Sequence, residues 1–464
     1  MRTYITKTMK DSIDFGKTDI GVLFKKMLFP TLISMVFSAV LIITDGIFVG
    51  RGLGSYALAA INIVVPIWLF ATGIGLMFGM GGSVVASINM SQGKLKTARI
   101  NITQAIFVST LFLMLCSVLV LVFSDKILIL LGCSEALMNP AKDYLWGFVP
   151  FMAINALLAS ASFFVRLDGS PRYAMVANMC AAMLNIVMDY LFIFVFKWGI
   201  FGAAIATSLG SVAGVAILLY YLFNPKNSLH FIRIKLSKNS LLLTARNIGY
   251  MCRLGFSSFL CEVTIATMML CGNYVFIEYL GENGVAAFSI ACYFFPIIFM
   301  LYNSIAQSAQ PIISYNYGTE ELHRVRAAFT LAVKTALICG IVFCLLTFLF
   351  SYQVASMFLD SDAPAHDIAA VGMPLFAIGF IPFAVNMISI GYFQSVERIK
   401  SAMTVTIMRG FVFITGAFIV MPKLVGTQGI WLAVPVAELL TVFLVIAIYF
   451  ITKKRGKRDK GVIS

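Results

Sequence analysis

A chain of 464 residues in which 60% are hydrophobic and only 12% charged lies outside the range of water-soluble domains. Its mean hydropathy of +0.95 places it in the membrane, and a formal charge of +14 then matters for where it sits rather than for its size. With no Cys-X-X-Cys pair and only His230, His323 and His366, the chain offers no zinc or haem ligand set and no cofactor site. It also lacks a catalytic constellation, so it is not expected to be an enzyme.

Residues 1–26 hold six Lys or Arg and no short apolar core with a cleavage site, so they are expected to stay as a cytoplasmic N-terminal segment. Apolar runs of about 20 residues or more then define twelve spans, near 28–50, 57–89, 101–123, 140–166, 173–196, 200–223, 250–278, 285–316, 327–350, 366–395, 401–421 and 427–452. Numbered from the N-terminus, they make an all-α polytopic membrane protein. With the N-terminus inside, 27 of the 34 Lys and Arg fall in inside segments and five outside, which puts both termini in the cytoplasm. The basic tail 453–464, with Lys453-Lys454-Arg455 and Lys457-Arg458, then reads as an anchor at anionic lipid rather than a nucleic-acid patch.

The two halves repeat. Leu53-Gly54 with Ala59-Ala60 resembles Leu280-Gly281 with Ala286-Ala287 at an offset of 227; Ala174-Met175 matches Ala402-Met403 at 228; Gly199-Ile200-Phe201 matches Gly429-Ile430-Trp431 at 230. The expected organisation is an N-lobe at 27–223 (spans 1 to 6), a polar cytoplasmic linker at 224–249 and a C-lobe at 250–452 (spans 7 to 12). Six spans per copy is an even number, so the pseudo-symmetric lobes share one orientation and frame a central cavity. Pro30, Pro66, Pro150, Pro296, Pro374, Pro382 and Pro435 fall inside spans, where proline removes a backbone hydrogen bond and bends a helix. The run Gly73 to Gly82 lacks the lysine and strand of a phosphate loop and predicts close helix packing.

Four acids lie well inside spans: Asp45, Asp189, Glu262 and Glu438. A charge at mid-bilayer costs about 2.5–3.5 kcal/mol on insertion scales, so each needs a wet cavity or a partner. At about 1.5 Å of rise per residue, Asp45 in span 1 and Asp189 in span 5 share a depth of roughly 25 Å from their inner ends. Asn185 is four residues before Asp189, on the same helical face. Two carboxyls, an amide and the hydroxyl of Thr207 in span 6 make a cage for a proton or a monovalent cation. The repeat places Gly272 and Ala417 opposite Asp45 and Asp189, so this set exists in one half only. Glu262 and Glu438 come out near mid-membrane, where either could pair with Arg409. Tyr293, Phe294 and Met300 offer aromatic faces and a polarizable sulfur suited to a cavity wall for flat lipophilic cations.

Together with Arg166-Leu-Asp168-Gly169-Ser-Pro171-Arg172 and Gln310-Pro311-Ile-Ile-Ser-Tyr-Asn316-Tyr-Gly318, these features resemble the multidrug and toxic compound extrusion (MATE) family of bacterial efflux transporters, over nearly the whole chain. The resemblance implies a multi-pass protein of the bacterial inner membrane, working as a monomer, that exports organic cations and amphiphilic drugs against H+ or Na+ by alternating access. The family's N-lobe cation site falls on Asp45, Asn185, Asp189 and Thr207, with Asn155 of span 4 in the neighbouring polar lining. The span 7 carboxylate of a second branch falls on Glu262, whereas the span 10 acid of that branch has no counterpart here. The alternative is a flippase for lipid-linked saccharides, which would need several cations in its cavity; this chain offers Arg409 and Lys334.

Overall fold

The computed structural model describes residues 13–234, 237–358 and 362–460, with the side chains of Ser55, Tyr56 and 452–460 left out. Part of the basic N-terminal segment (1–12), and in the tail the side chains of Lys453 to Lys460 and all of 461–464, therefore lie outside the described residues.

Every regular element among the described residues is helical. Ten helices, together with one bent pair, are long and apolar enough to cross a membrane. One of the ten, Lys238–Gly318, is two helices joined at Gly281, which raises the number of spans to twelve. Span 1 is Ile20–Leu53, span 2 Ser55–Ser91, span 3 Leu95–Val122, span 6 Gly199–Phe223, span 9 Leu322–Ser356 and span 12 Thr427–Lys460. Span 9 kinks at Phe350, where the backbone leaves helical geometry, and the other spans are joined or interrupted, with local causes. Span 4 runs Glu135–Phe148, then a tight turn at Val149–Phe151 around Pro150, then Met152–Leu167. Span 10 bends by 44° between Pro364–Ala377 and Phe380–Ser395, where Gly379 lies between Pro374 and Pro382. Span 5 (Pro171–Tyr190) widens into a π-turn at Leu191–Val195, and span 11 (Ile399–Ile407 and Ile414–Val425) carries another at Met408–Phe413.

The duplication is written in the backbone. Positive φ at Gly54, Gly93, Gly169 and Gly199 recurs at Gly281, Glu320, Glu397 and Gly426, 227 or 228 residues later. Left-handed backbone is costly for residues other than glycine, so its retention at two glutamates marks turns that the architecture itself imposes. The equivalent of Gly199 is thus Gly426, and the sequence match to Gly429 is displaced by three residues.

The chain falls into two compact units, Met1–Phe259 with Gln307–Val325, and Leu260–Ala306 with Arg326–Ser464. The first unit therefore holds spans 1 to 6 plus the beginning of span 7 and the end of span 8. Its helices touch through missing side chains, which is how membrane helices gain van der Waals contact when lipid removes the hydrophobic drive. A Cβ on Gly75 would overlap the Ala156 backbone and one on Gly79 would press on Ser160 and Phe163, seating span 2 on span 4. Gly81 faces the Met251 carbonyl and Gly255 the Met77 carbonyl, so spans 2 and 7 cross backbone to backbone. Beside this crossing Arg166 donates to Gln307 Oε1 (2.7 Å) and Ser83 to Gln310 Oε1 (3.1 Å). At the N-terminal end, Arg324 Nη2 donates to the carbonyls of Phe15 (3.1 Å) and Thr18 (2.6 Å), its Nε to Asn316 Oδ1 (2.8 Å), and Asn316 Nδ2 to Phe15 O (3.1 Å). The segment before span 1 is thereby tied to the end of span 8.

Candidate functional site

Spans 5 and 6 set the geometry of the first unit's polar centre. A Cβ on Gly210 would strike the Ala181 carbonyl and the Asn185 Cβ, and one on Gly214 would strike Ala177 O and Ala181 Cβ, so these glycines draw span 6 onto the face of span 5 that carries Asn185. The next turn of that face carries Asp189, which is fully buried; Asn185 is 2% exposed. Span 1 brings Asp45, half-buried, against them.

In the orientation that satisfies both ends of the Asn185 amide, its oxygen accepts from Thr207 N (2.8 Å) and Thr207 Oγ1 (3.1 Å), and its nitrogen donates to Asp189 Oδ2 (3.1 Å). Asp189 and Asp45 face one another within hydrogen-bonding reach. Neither carboxylate can donate, so this contact closes only around a proton or a cation, and Asp189 Oδ1 has no donor among the described residues. The four residues expected to form one site are brought together. Asn155 joins through Ser211, whose hydroxyl donates to Asn155 Oδ1 (2.6 Å) and lies 3.1 Å from the Thr207 carbonyl.

Two contributors escaped the sequence reading. Ser211 lies one turn beyond Thr207, so the i, i+4 spacing that singled out Asn185 and Asp189 would have found it too. Tyr144 of span 4, buried and within electrostatic range of both acids, is one of 17 tyrosines and carries no local signal.

The second unit holds a different polar cluster. Arg409, on the π-turn of span 11, donates through Nε to Glu438 Oε1 (2.8 Å) and Oε2 (3.1 Å), with its guanidinium 4.4 Å from the centre of the Phe383 ring. Asn386 of span 10 donates to Glu438 Oε2 (2.7 Å) and to its carbonyl (2.8 Å). Of the two acids that could have paired with Arg409, Glu438 does so; Glu262, 8% exposed, has no hydrogen-bond or ion-pair partner among the described residues. Tyr293 is 65% exposed and stacks on Phe358 (5.8 Å), Phe294 meets the same ring edge-on (6.2 Å), and Met300 is half-buried. At the repeat equivalents of Asp45 and Asp189 stand Gly272, against which the Phe288 ring is packed, and Ala417, buried beside Phe418. Among the described residues no group of three His, Cys, Asp or Glu side chains could hold a metal ion.

The sequence matches the model of the MatE family over residues 30–191 and 254–419. Similar curated proteins include the multidrug export protein MepA of Staphylococcus saprophyticus, 23% identical over 440 residues (93% of this chain, 94% of that protein). MepA of Staphylococcus haemolyticus is 23% identical over 460 residues, covering 98% of this chain and 99% of its own. Among solved structures, the outward-facing conformation of a multidrug resistance MATE family transporter of the MOP superfamily superposes with a TM-score of 0.87 at 21% identity, over 96% of this chain and 98% of that one. A MOP superfamily transporter from Pyrococcus furiosus, described as having a binding pocket of reversed polarity, gives 0.87 at 21% identity, over 94% and 97%. At these identities the structural likeness concerns the fold.

Proposed function

Because this chain belongs to the MatE family, whose model matches most of it, we propose that it is a multidrug exporter that couples the efflux of organic cations and amphiphilic compounds to the entry of H+ or Na+. The observation that carries this reading is the facing pair Asp45 and Asp189, whose contact closes only around a positive charge, with Asp189 Oδ2 held by the Asn185 amide nitrogen and the Asn185 oxygen held in turn by Thr207. In the mechanism, a proton or Na+ from outside enters between the two carboxyls. Asn185 holds Asp189 Oδ2 in place while Oδ1, which has no donor, takes the incoming charge. Ion and drug favour different conformations of the protein, so each weakens the other's binding by the same factor and exchange follows. Glu262, an acid without a partner, receives the positive end of the drug, and Tyr293, Phe294 and Met300 supply its apolar contacts.

The excess of Lys and Arg on alternate loops supports a cytoplasmic-membrane location with both termini inside. A flippase for lipid-linked saccharides is disfavoured, because Arg409 is neutralised by Glu438 and is not available to an anionic head group.

Proteoliposomes loaded with a fluorescent cation test the reading under a pH gradient without sodium and under a sodium gradient without a pH difference. One of the two gradients is expected to drive concentrative transport and so to identify the ion. Transport driven by neither would overturn the coupling.

A further inference from the structure

Two of the rings proposed to receive the drug are covered by a third. Tyr293 and Phe294, on span 8, both touch Phe358, by stacking at 5.8 Å and by edge-on contact at 6.2 Å. Phe358 follows the last residue of span 9, Ser356, by two positions, and its N–H donates to the Ala355 carbonyl (3.0 Å). Ser356 Oγ in turn lies 2.9 Å from Nε2 of His366, in the first turn of span 10. Of the three histidines in the chain, His366 is the one that is fully buried.

The bonding around this ring is incomplete for a neutral imidazole. Ser356 donates its hydroxyl proton to the Tyr352 carbonyl (3.0 Å), which leaves its oxygen to accept from Nε2–H. Nδ1 then carries a bare lone pair, buried with no hydrogen-bond partner among the described residues and 3.6 Å from Asp367 Oδ1. Moving the ring proton to Nδ1 repairs that side, but forces Ser356 to donate to Nε2 and to release the Tyr352 carbonyl. The doubly protonated ring alone serves Ser356, Tyr352 and Asp367 together. Besides Asp367, the joint between the two spans carries Asp362, exposed and of the same sign. Span 9 presents the Tyr352 ring edge-on at 4.5 Å. Span 12 packs against this half of span 10, and its residues Thr427 to Ala437 include no ionisable side chain.

We propose that His366 is a second proton-binding site, separate from the Asp45–Asp189 pair, and that its protonation fixes Phe358 over Tyr293 and Phe294 and so withdraws those rings from the drug. This rests on the reading of the two rings as drug contacts, and it deepens that reading by stating what covers them. Ser356 is the link: a charged ring clamps the last turn of span 9 to the first turn of span 10, and Phe358 is held two residues away. Histidine is the side chain whose charge ordinarily changes between about pH 5 and pH 8. On the topology proposed above, the joint faces outside, where an exported drug leaves. Proton and drug then weaken one another's binding by the same factor.

The experiment takes two readouts from the purified full-length protein in detergent, with melting temperature as the check on folding. In protein carrying isotope-labelled histidine, the His366 resonance is the one missing from His366→Gln. It is expected to move as the pH is lowered from about 8 to about 5, and to need more acid in Asp367→Asn. A resonance that stays fixed, or that moves identically in Asp367→Asn, overturns the proton site. The second readout is binding of tetraphenylphosphonium, as the ratio of dissociation constants at the acid and alkaline ends of that range. One partly exposed ion pair biases an equilibrium by about two- to fivefold. The ratio is therefore expected to fall by that factor in His366→Gln and in Phe358→Ala, with no further fall when the two are combined. A ratio unchanged by His366→Gln, as a merely structural histidine would leave it, or additive effects of the two changes, overturns the link to the drug. If His366→Gln does not fold, Asp367→Asn, at an exposed position, carries the same comparison. Tetraphenylphosphonium binding that Tyr293→Ala leaves unchanged overturns the drug-contact reading together with the link, and the histidine titration still decides the proton site.

Discussion

Replacing Asp189 with Asn removes one charge from the buried pair and changes little else. Shape is kept, and the new amide can still meet Asn185, whose nitrogen lies 3.1 Å from Asp189 Oδ2. What is lost is the attraction between a carboxylate and a cation, about 4 kcal/mol for unit charges 4 Å apart at an effective dielectric constant of 20. That is nearly a thousandfold in ion affinity. The variant is expected to bind drug and to exchange it down a concentration gradient, while losing concentrative transport under the gradient that drives the wild type. The neighbours follow in a fixed order. Asn185→Ala deletes a hydrogen bond to a charged group, about 1.5–3 kcal/mol, and Thr207→Val a neutral one, about 0.5–1.5 kcal/mol. Ion-driven uptake measured against ion concentration should therefore show its half-saturation point moving least for Thr207→Val, more for Asn185→Ala, and out of range for Asp189→Asn. Full concentrative transport by Asp189→Asn, or a larger effect at Thr207 than at Asn185, would refute the placement of coupling at this pair.

Three further outcomes test the scaffold. Arg409→Met alone strands Glu438 in the interior and is expected to destabilise by about 3–5 kcal/mol, whereas adding Glu438→Leu should recover most of the loss because a buried pair exchanged for apolar groups is often neutral; melting temperature in detergent reads both. Gly81→Val and Gly255→Val each drive side-chain atoms into a facing carbonyl, that of Met251 or of Met77, and are expected to reduce the yield of folded protein, whereas the same change at Gly416, which has open space around its Cβ position, should not. Arg324→Ala removes three hydrogen bonds that hold Phe15, Thr18 and Asn316, so amide exchange over residues 13–19 should speed up while that of span 5 stays unchanged.

Much of this was legible in the sequence, for reasons that differ by residue. Twelve spans follow from apolar length alone, and the acids stand out because a charge within such a run is expensive. Depth counting brought Asp45 to Asp189 because both helices start at the same membrane face and rise equally per residue. The same counting could not separate Glu262 from Glu438 as the partner of Arg409. That choice depends on which way each side chain points around its helix, and the π-turn at Met408–Phe413 shifts the phase of span 11 in a way no pattern of apolar residues reports. Tyr144 was illegible because its role depends on neighbours from other helices. The repeat was located correctly at Gly54 and Gly281, yet three residues out at its last match, since similarity of Gly-Ile-aromatic outweighed the backbone conformation that places Gly426 opposite Gly199.

The unequal halves bear on how ion and drug communicate. The duplicated scaffold retains its left-handed turns in both copies, at Gly93 and Glu320 and at Gly169 and Glu397, so the backbones follow one plan. At the counterpart of Asp45, however, the second copy has filled the space with rings: Phe288 lies against Gly272, stacks on Phe276 at 4.4 Å and meets Trp431 and Phe418 edge-on. No carboxylate or amide oxygen stands at the counterparts of Asp45 or Asp189 to replace an ion's hydration, so the site proposed for a proton or Na+ has no counterpart in the second unit. The charged groups of the second unit, Glu262 and the Arg409–Glu438 pair, stand at other points of the repeat. In the proposed mechanism ion and drug are then served by separate sites and do not compete for one carboxylate. Their antagonism has to pass through a conformational equilibrium that both bias, and by linkage its strength is the same whichever ligand is measured.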